Sequence, residues 1–419
     1  MSARALLVAL LVLGSPGAPA ASVLIRGATV HTLTSAGVLK DTDILIRDGR
    51  IAELGSHLAV PAGSQVIEAA ARPLTPGLFG GAGHLGLEEI GEETTVDDYA
   101  LKLGSMRPEF DVTPAFDAES VVLGVGRVGG ITFAQLAPTA EAGAGGAGGT
   151  IIAGQGAPVR LDGSVAPGRA LFVATGGAAN ALSGGSRAAQ YMLLEQAIAE
   201  ARAPRALLAS DRSLLTPAGR QALAGYLAGH GRVVFDAQRA SDIRQVIALC
   251  QREHLPAAVR GAAEAWRVAP ELAAAGIAVI LDPFDDLPGS FDAVGATLEN
   301  AARLERAGVK IAFSFTDPAP HNIRKLRQGA GLAVAHGLPW EAALAALTRN
   351  PAEIFGVADR NGSIERGRVA DLVLWSADPL EVTSLPDEVF IQGVRQVMRS
   401  RQTELRDRYL PKLRAHAAR

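Results

Sequence analysis

The sequence predicts an α/β fold: a (β/α)8 barrel joined to a smaller β-sandwich domain built from both chain ends. Three observations carry this. Between residues 74 and 359, short apolar runs alternate repeatedly with amphipathic stretches at helical spacing. Both flanks instead alternate apolar and polar residues with period two and carry turn signals, the pattern of antiparallel hairpins. Glycine-rich segments follow several strand candidates, as expected where loops form the rim of a barrel.

Taken in order, residues 1–21 read as a secretion signal. Arg4 supplies the positive charge, Ala5–Gly14 an apolar run too short to span a bilayer, and Ala18-Pro19-Ala20 a small-residue cleavage site. The expected location is periplasmic or secreted, with no membrane attachment after cleavage. Residues 22–73 and 360–400 form the sandwich: Ser22–Leu33, Asp43–Gly55 and Gln65–Ala69 at one end, Gly362–Trp375 and Glu388–Val394 at the other. Residues 74–359 form the barrel, and 401–419 a polar tail.

Within the barrel the strand candidates are Leu78–Gly81, Ile131–Leu136, Thr150–Ala153, Leu171–Thr175, Val233–Asp236, Ala257–Val259, Ala278–Leu281 and Ile311–Phe315. The helix candidates are Ser186–Ala201, Pro217–Ala228, Ala240–Glu253, Ala263–Ala275, Phe291–Ala307, Asn322–Ala335 and Trp340–Thr348. The third and fourth units are the least regular of the series, and the pattern there also allows an intervening hairpin at Thr150–Leu161. A doubly wound open sheet is the competing arrangement.

Composition bounds the function. The 419 residues are 48% hydrophobic, too apolar for disorder, and 40 basic residues nearly cancel 43 acidic ones. No electrostatic case therefore exists for nucleic acid or an anionic membrane surface. The one cysteine, Cys250, lies at an apolar helix position and reads as a packed thiol. Gly124–Gly129 spells G-x-G-x-x-G but precedes a strand instead of following one, so it is no dinucleotide fingerprint. Ser186 opens a helix as its N-cap.

The stretch Arg72–Glu89, RPLTPGLFGGAGHLGLEE, resembles the barrel entry of the amidohydrolase superfamily, roughly T-P-G followed by two apolar residues and D-x-H-x-H. Ala343–Trp375, with A-L-x-x-x-T-x-N-P-A and later G-x-I-x-x-G-x-x-A-D-L-V, is similar to the imidazolonepropionase-like branch. The resemblance covers nearly all of the chain after the signal. It implies hydrolysis of carbon–nitrogen bonds in amides, lactams or cyclic amidines by a water bound to a divalent metal, zinc above all. Such a metal lowers the pKa of its water towards neutrality, and the aspartate ending the eighth strand moves the proton.

Laid on that pattern the ligand set is eroded. Gly80 stands for the aspartate, Ala82 for the first histidine and His84 for the second. The fifth strand offers Asp236 where the family has histidine, and the eighth ends in Asp317. The set carried over is His84, Asp236 and Asp317 as metal ligands, with Asp317 also the catalytic proton carrier. Glu88, Arg260, Glu264 and His321 are the candidate substrate contacts. The residues alone equally allow a loop histidine at 84, an Asp236 paired with Arg239 or Arg260, and Asp317 as a turn residue.

Two alternatives stand beside the eroded hydrolase. One is a binding protein without catalysis, or any metal cofactor, that keeps the mouth for a small amide or peptide-like ligand. The other is a metal-free hydrolase using Asp236 and Asp317 as a carboxylate pair. The expected partner is a small-molecule substrate or ligand, and association into a homo-oligomer is left open by the pattern.

Overall fold

The computed structural model describes residues 22–91, 93–103, 105–142, 150–203, 213–316 and 319–417. The expected signal segment and Asp317 lie outside these. In chain order, β1 (Val23–His31), β2 (Val38–Arg47), β3 (Arg50–Gly55), β4 (Gln65–Glu68) and β5 (Pro73–Pro76) lead into β6 (Leu78–Gly83). Next come α1 (Val121–Arg127), β7 (Ile131–Leu136), β8 (Ile152–Gly156), β9 (Pro158–Arg160), β10 (Ala170–Ala174), α2 (Arg187–Arg202) and α3 (Pro217–Leu227). Regular βα alternation follows: β11 (Arg232–Ala237), α4 (Ala240–Glu253), β12 (Ala257–Gly261), α5 (Ala269–Ala275), β13 (Ala278–Leu281), α6 (Asn300–Arg306) and β14 (Ile311–Phe313). The chain ends with α7 (Leu326–Ala335), α8 (Trp340–Ala346), α9 (Arg349–Ile354), β15 (Leu372–Trp375), β16 (Pro386–Ile391), β17 (Val394–Arg395) and α10 (Arg401–Ala417).

Both chain ends do share one sheet. Its order is β17-β16-β15-β5-β1-β2-β3, with β4 pairing the first half of β1 and β5 the second. The seam is antiparallel β15 on β5, Leu374 opposite Leu74. Hydrogen bonding joins these strands as one eight-stranded sheet, with register shifts along β1 where it pairs with β2. Trp375, fully buried, donates its indole N–H to the Thr75 hydroxyl at 2.9 Å and so locks the seam. Burying such a side chain contributes about 2–3 kcal/mol. Gly77 is required by close approach: a Cβ there would lie 2.1 Å from the Thr132 hydroxyl.

The barrel-type core is drawn as a six-stranded sheet, β14-β13-β12-β11-β10-β8, and a three-stranded one, β6-β7-β9. β10 to β14 are mutually parallel, as are β6 and β7. The third strand departs from expectation. β8 runs antiparallel to β10, and β9 antiparallel to β7, so the chain turns at Ala157 and serves both sheets.

Phe79, Phe133, Ala153, Phe172, Val234, Ala258, Ile280 and Ala312, one from each of β6, β7, β8, β10, β11, β12, β13 and β14, meet in one buried interior cluster. The alternate residues, such as Val233, Phe235 and Val259, pack outward against the helices. Because side chains alternate along a strand, residues two positions beyond this layer also face inward, at the strands' C-terminal ends. On β11 and β12 those are Asp236 and Arg260.

The helix expected from Phe291 starts only at Asn300. Residues 282–299 instead form a turn-rich loop on which Phe291 is 93% exposed. Tertiary bonds fix that backbone: Gly295 N–H donates to Glu264 at 2.9 Å, and Arg187 pairs with Asp292. The expected helices at 263 and 322 likewise begin as 3-10 turns, Ala265–Val268 and Pro320–Lys325. Ser186 caps α2 through the Ala188 N–H, and Cys250 is buried, its thiol pushed up to about 12 by that burial.

Candidate active site at the barrel mouth

His84 follows β6 and is 3% exposed. Its Nδ1 lies 3.0 Å from a Glu88 carboxylate oxygen, and its Nε2 2.9 Å from the Thr139 hydroxyl. The ring stacks on Tyr99, centroids 3.7 Å apart and 7° from parallel. A carboxylate only accepts, so Nδ1 carries the proton and Nε2 accepts from Thr139. Burial first, and the nearby Arg260 charge second, pull the His84 pKa down to about 3. The imidazole is therefore neutral at physiological pH, with both nitrogens engaged. Glu88, expected at the substrate, serves this histidine.

Ala82 sits in the apolar interior, 1% exposed. A Cβ on Gly80 would press the Ile131 methyl at 2.9 Å, so that position has no room for an aspartate without a shift. Asp236 and Arg260 are direct neighbours across the β11–β12 ladder. Arg260 donates through Nε to one Asp236 oxygen at 2.5 Å and through Nη2 to the other at 2.8 Å. Its Nη1 donates to the Ala82 carbonyl at 3.2 Å, and its guanidinium lies 5.1 Å from the centroid of Phe172. Burial works against the Arg260 charge, but the adjoining carboxylate outweighs it and holds the group above its ordinary value.

Glu264 is buried, 5% exposed, and its oxygens accept the N–H groups of Ala240 and Gly295. It joins the start of α4 to the 282–299 loop. His321 is exposed on the 3-10 turn and lines neither mouth cavity. Asp317 lies outside the described residues. Its neighbour Thr316 donates its backbone N–H to Asp282 at 2.8 Å.

Two adjoining cavities open at the mouth. One, of about 220 Å³, is lined by Thr139, Asp236, Gln238, Arg260, Gly261 and Thr316. The other, of about 510 Å³, shares Asp236 and Gln238 and reaches Arg187, Phe291 and Asp292 of the overhanging loop. Thr139, Tyr99 and Gln238 carried no sequence signal: the first two meet His84 only through the fold, and Gln238 follows Asp236 by strand periodicity alone.

A family model described as the amidohydrolase family matches residues 219–400. Amidohydrolase TasK of Hapsidospora irregularis is 46% identical over 61 residues, 15% of this chain and 6% of that protein. The imidazolonepropionase of Acidiphilium cryptum is 28% identical over 378 residues, 82% of this chain and 89% of the relative. A solved amidohydrolase from Thermotoga maritima superposes with a TM-score of 0.79 at 24% identity, covering 90% of this chain and 100% of that one, a likeness of fold. Fold and matches together support the amidohydrolase superfamily, whose members cleave carbon–nitrogen bonds of small molecules, commonly with a metal ion. The longest of these sequence matches is to an imidazolonepropionase.

The described residues do not fit such a metal. Among them no three His, Cys, Asp or Glu side chains converge as a donor set. The first-histidine position is a methyl group, the second spends both nitrogens on Glu88 and Thr139, and the fifth-strand position is a carboxylate clamped by a guanidinium. A fixed cation already stands among these positions.

Proposed function

We propose that this protein is an exported, metal-independent member of the superfamily that holds a small amide or peptide-like ligand in its barrel mouth without hydrolysing it. The observation that carries this reading is Arg260. Its guanidinium joins the carbonyl of Ala82 to the carboxylate of Asp236, two positions where the family's pattern has histidines. A second cation beside it would meet direct repulsion in a poorly solvated place. His84, neutral and bonded on both sides, supplies neither a ligand nor a proton carrier.

The mouth still suits a ligand. Asp236 is about a third exposed on the cavity side and accepts N–H groups, while the hydroxyls of Thr139 and Thr316 and the Gln238 amide offer donors and acceptors around it. A concave site with a few converging polar groups is the usual form of a small-molecule pocket. The apolar run and small-residue cleavage pattern at the N-terminus support export.

Elemental mass spectrometry of the purified chain, before and after incubation with excess zinc, tests the reading beside a hydrolysis screen of amides and lactams. The expected result is metal far below one equivalent and no turnover above buffer. Near-stoichiometric zinc that disappears in a His84→Ala variant together with amide hydrolysis would overturn it.

A further inference from the structure

The opposite end of the barrel holds a further cavity, of about 450 Å³, lined by Gly168, Arg169, Gly229, His230, Arg232 and Glu353 among others. Gly168 and Arg169 precede β10, Arg232 opens β11 and Pro256 precedes β12, so this is the floor, where the parallel strands begin. Arg232 stands two residues before the inward-facing Val234 and shares its face of the strand.

Arg232 is half-buried, yet its one bond among the described residues is Nε donating to the Ile354 carbonyl at 3.1 Å. Among the described residues three arginines have their hold on the proton weakened by burial: Arg127, Arg232 and Arg327. The other two are compensated. Arg327 donates to the carbonyls of Pro379, Glu381 and Ser384 and lies over the Trp375 ring. Arg127 donates to the Leu161 carbonyl and faces the Asp162 charge. Arg232 has no carboxylate within ion-pair distance among the described residues. Taking an unpaired guanidinium partly out of water is costly, and an arriving anion would offset that cost.

The surrounding charges point the same way. Asp111 is bound to Arg169 at 2.7 Å, and Glu353 lies 2.5 Å from Lys310 and 3.8 Å from Arg349. Each nearby carboxylate thus has a basic partner other than Arg232. Glycines at 168, 229, 231 and 356 leave the wall without side chains, so a ligand can approach the backbone closely.

We propose that the floor cavity is a second ligand site, separate from the mouth, that binds the oxyanion of a small molecule, a phosphate or carboxylate group, on the forked donors of Arg232, with Arg169 and His230 at its wall. The fork of N–H donors matches paired oxygens in either group.

The test is thermal unfolding of the full chain in sodium phosphate or sodium malonate against sodium chloride at equal ionic strength. Binding should raise Tm by about 2 °C at several-fold saturation. The anion giving the larger rise separates a phosphate from a carboxylate ligand. The rise should vanish in Arg232→Gln and persist in Arg324→Gln, an exposed arginine elsewhere on the surface. An equal rise in both variants, or none with either anion in the wild type, overturns the proposal. Should Arg232→Gln fail to fold, phenylglyoxal modification of the wild-type chain read by peptide mass spectrometry decides. Modification of Arg232 should slow at least about fivefold in the favoured anion relative to chloride, and an unchanged rate refutes the site.

Discussion

The two ends of β11 place charges on the same inward face under opposite conditions. At the mouth, Asp236 meets Arg260 in a two-pronged pair, and the carboxylate balances the guanidinium. At the floor, Arg232 has one carbonyl and no counter-charge among the described residues. One strand thus carries a self-neutralised end and an uncompensated one. At the mouth the guanidinium of Arg260 and the carboxylate of Asp236 satisfy each other. The floor has a fixed cation that makes no ion pair among the described residues.

The largest expected effect concerns how the mouth tolerates a further charge. The His84 pKa is about 3 when folded, because of burial and then Arg260, against about 6.5 for an unfolded histidine. Between those values the unfolded chain binds the extra proton. This contribution to stability is therefore complete above pH 6.5 and is lost as pH falls towards 3, by up to about 5 kcal/mol. Asp285, pushed up to about 6 by burial and then by Asp282, acts in the opposite sense. Its contribution is present below its unfolded value near 4 and fades as pH rises through 6. Urea unfolding between pH 7.5 and pH 4 should accordingly show a steeper loss in Asp285→Asn than in the wild type, and a shallower one in His84→Gln. Parallel slopes in all three chains would refute the buried neutral histidine.

Next in size is Asp236→Asn, which gives the mouth the floor's condition. Removing one partner of a buried ion pair costs about 3–5 kcal/mol. Asp236 is about a third exposed, which brings the expectation to about 2–3 kcal/mol by equilibrium unfolding. The double variant Asp236→Leu/Arg260→Met should recover part of the loss, because no orphaned charge remains. A double variant worse than the sum of its singles would mean that the pair is not the unit described. Glu264→Gln comes next, at about 1–2 kcal/mol, since one amide oxygen replaces two carboxylate oxygens that hold Ala240 and Gly295. Limited proteolysis near Phe291 should quicken in step with it.

Much of this was legible in the chain because strand periodicity is a short-range signal. Val234 at an apolar inward position places Asp236 inward, and the pairing of Asp236 with Arg260 stood among the sequence-based options. The joining of the chain ends was readable from the hairpin patterns flanking the barrel. Other features were hidden because they depend on distant partners. Residues 291–299 have helix-like spacing, yet Glu264 and Arg187 pin them as a loop. The apolar run after Thr150 reads as a parallel strand, and only its pairing with β10 reveals the reversed direction. His84 reads as a ligand from its place in the family pattern, and its bonds to a carboxylate four residues on and a hydroxyl fifty-five residues away become visible only in the fold. Asp317, which the sequence singled out, lies outside the described residues.

The smallest effect is expected at the floor, and its smallness is the point. Arg232→Met removes one hydrogen bond to the Ile354 carbonyl, worth about 0.5–1.5 kcal/mol in general. It also removes a half-buried charge without a counter-charge, whose desolvation opposes folding. These nearly cancel, so urea unfolding in chloride should place the variant within about 0.5 kcal/mol of the wild type. The same substitution at Arg260, where a carboxylate would be left behind, should cost several times more. If Arg232→Met were as damaging as Arg260→Met, the floor arginine would already be compensated within the chain. The contrast between the two ends of β11, and with it the case for an anion at the floor, would then collapse.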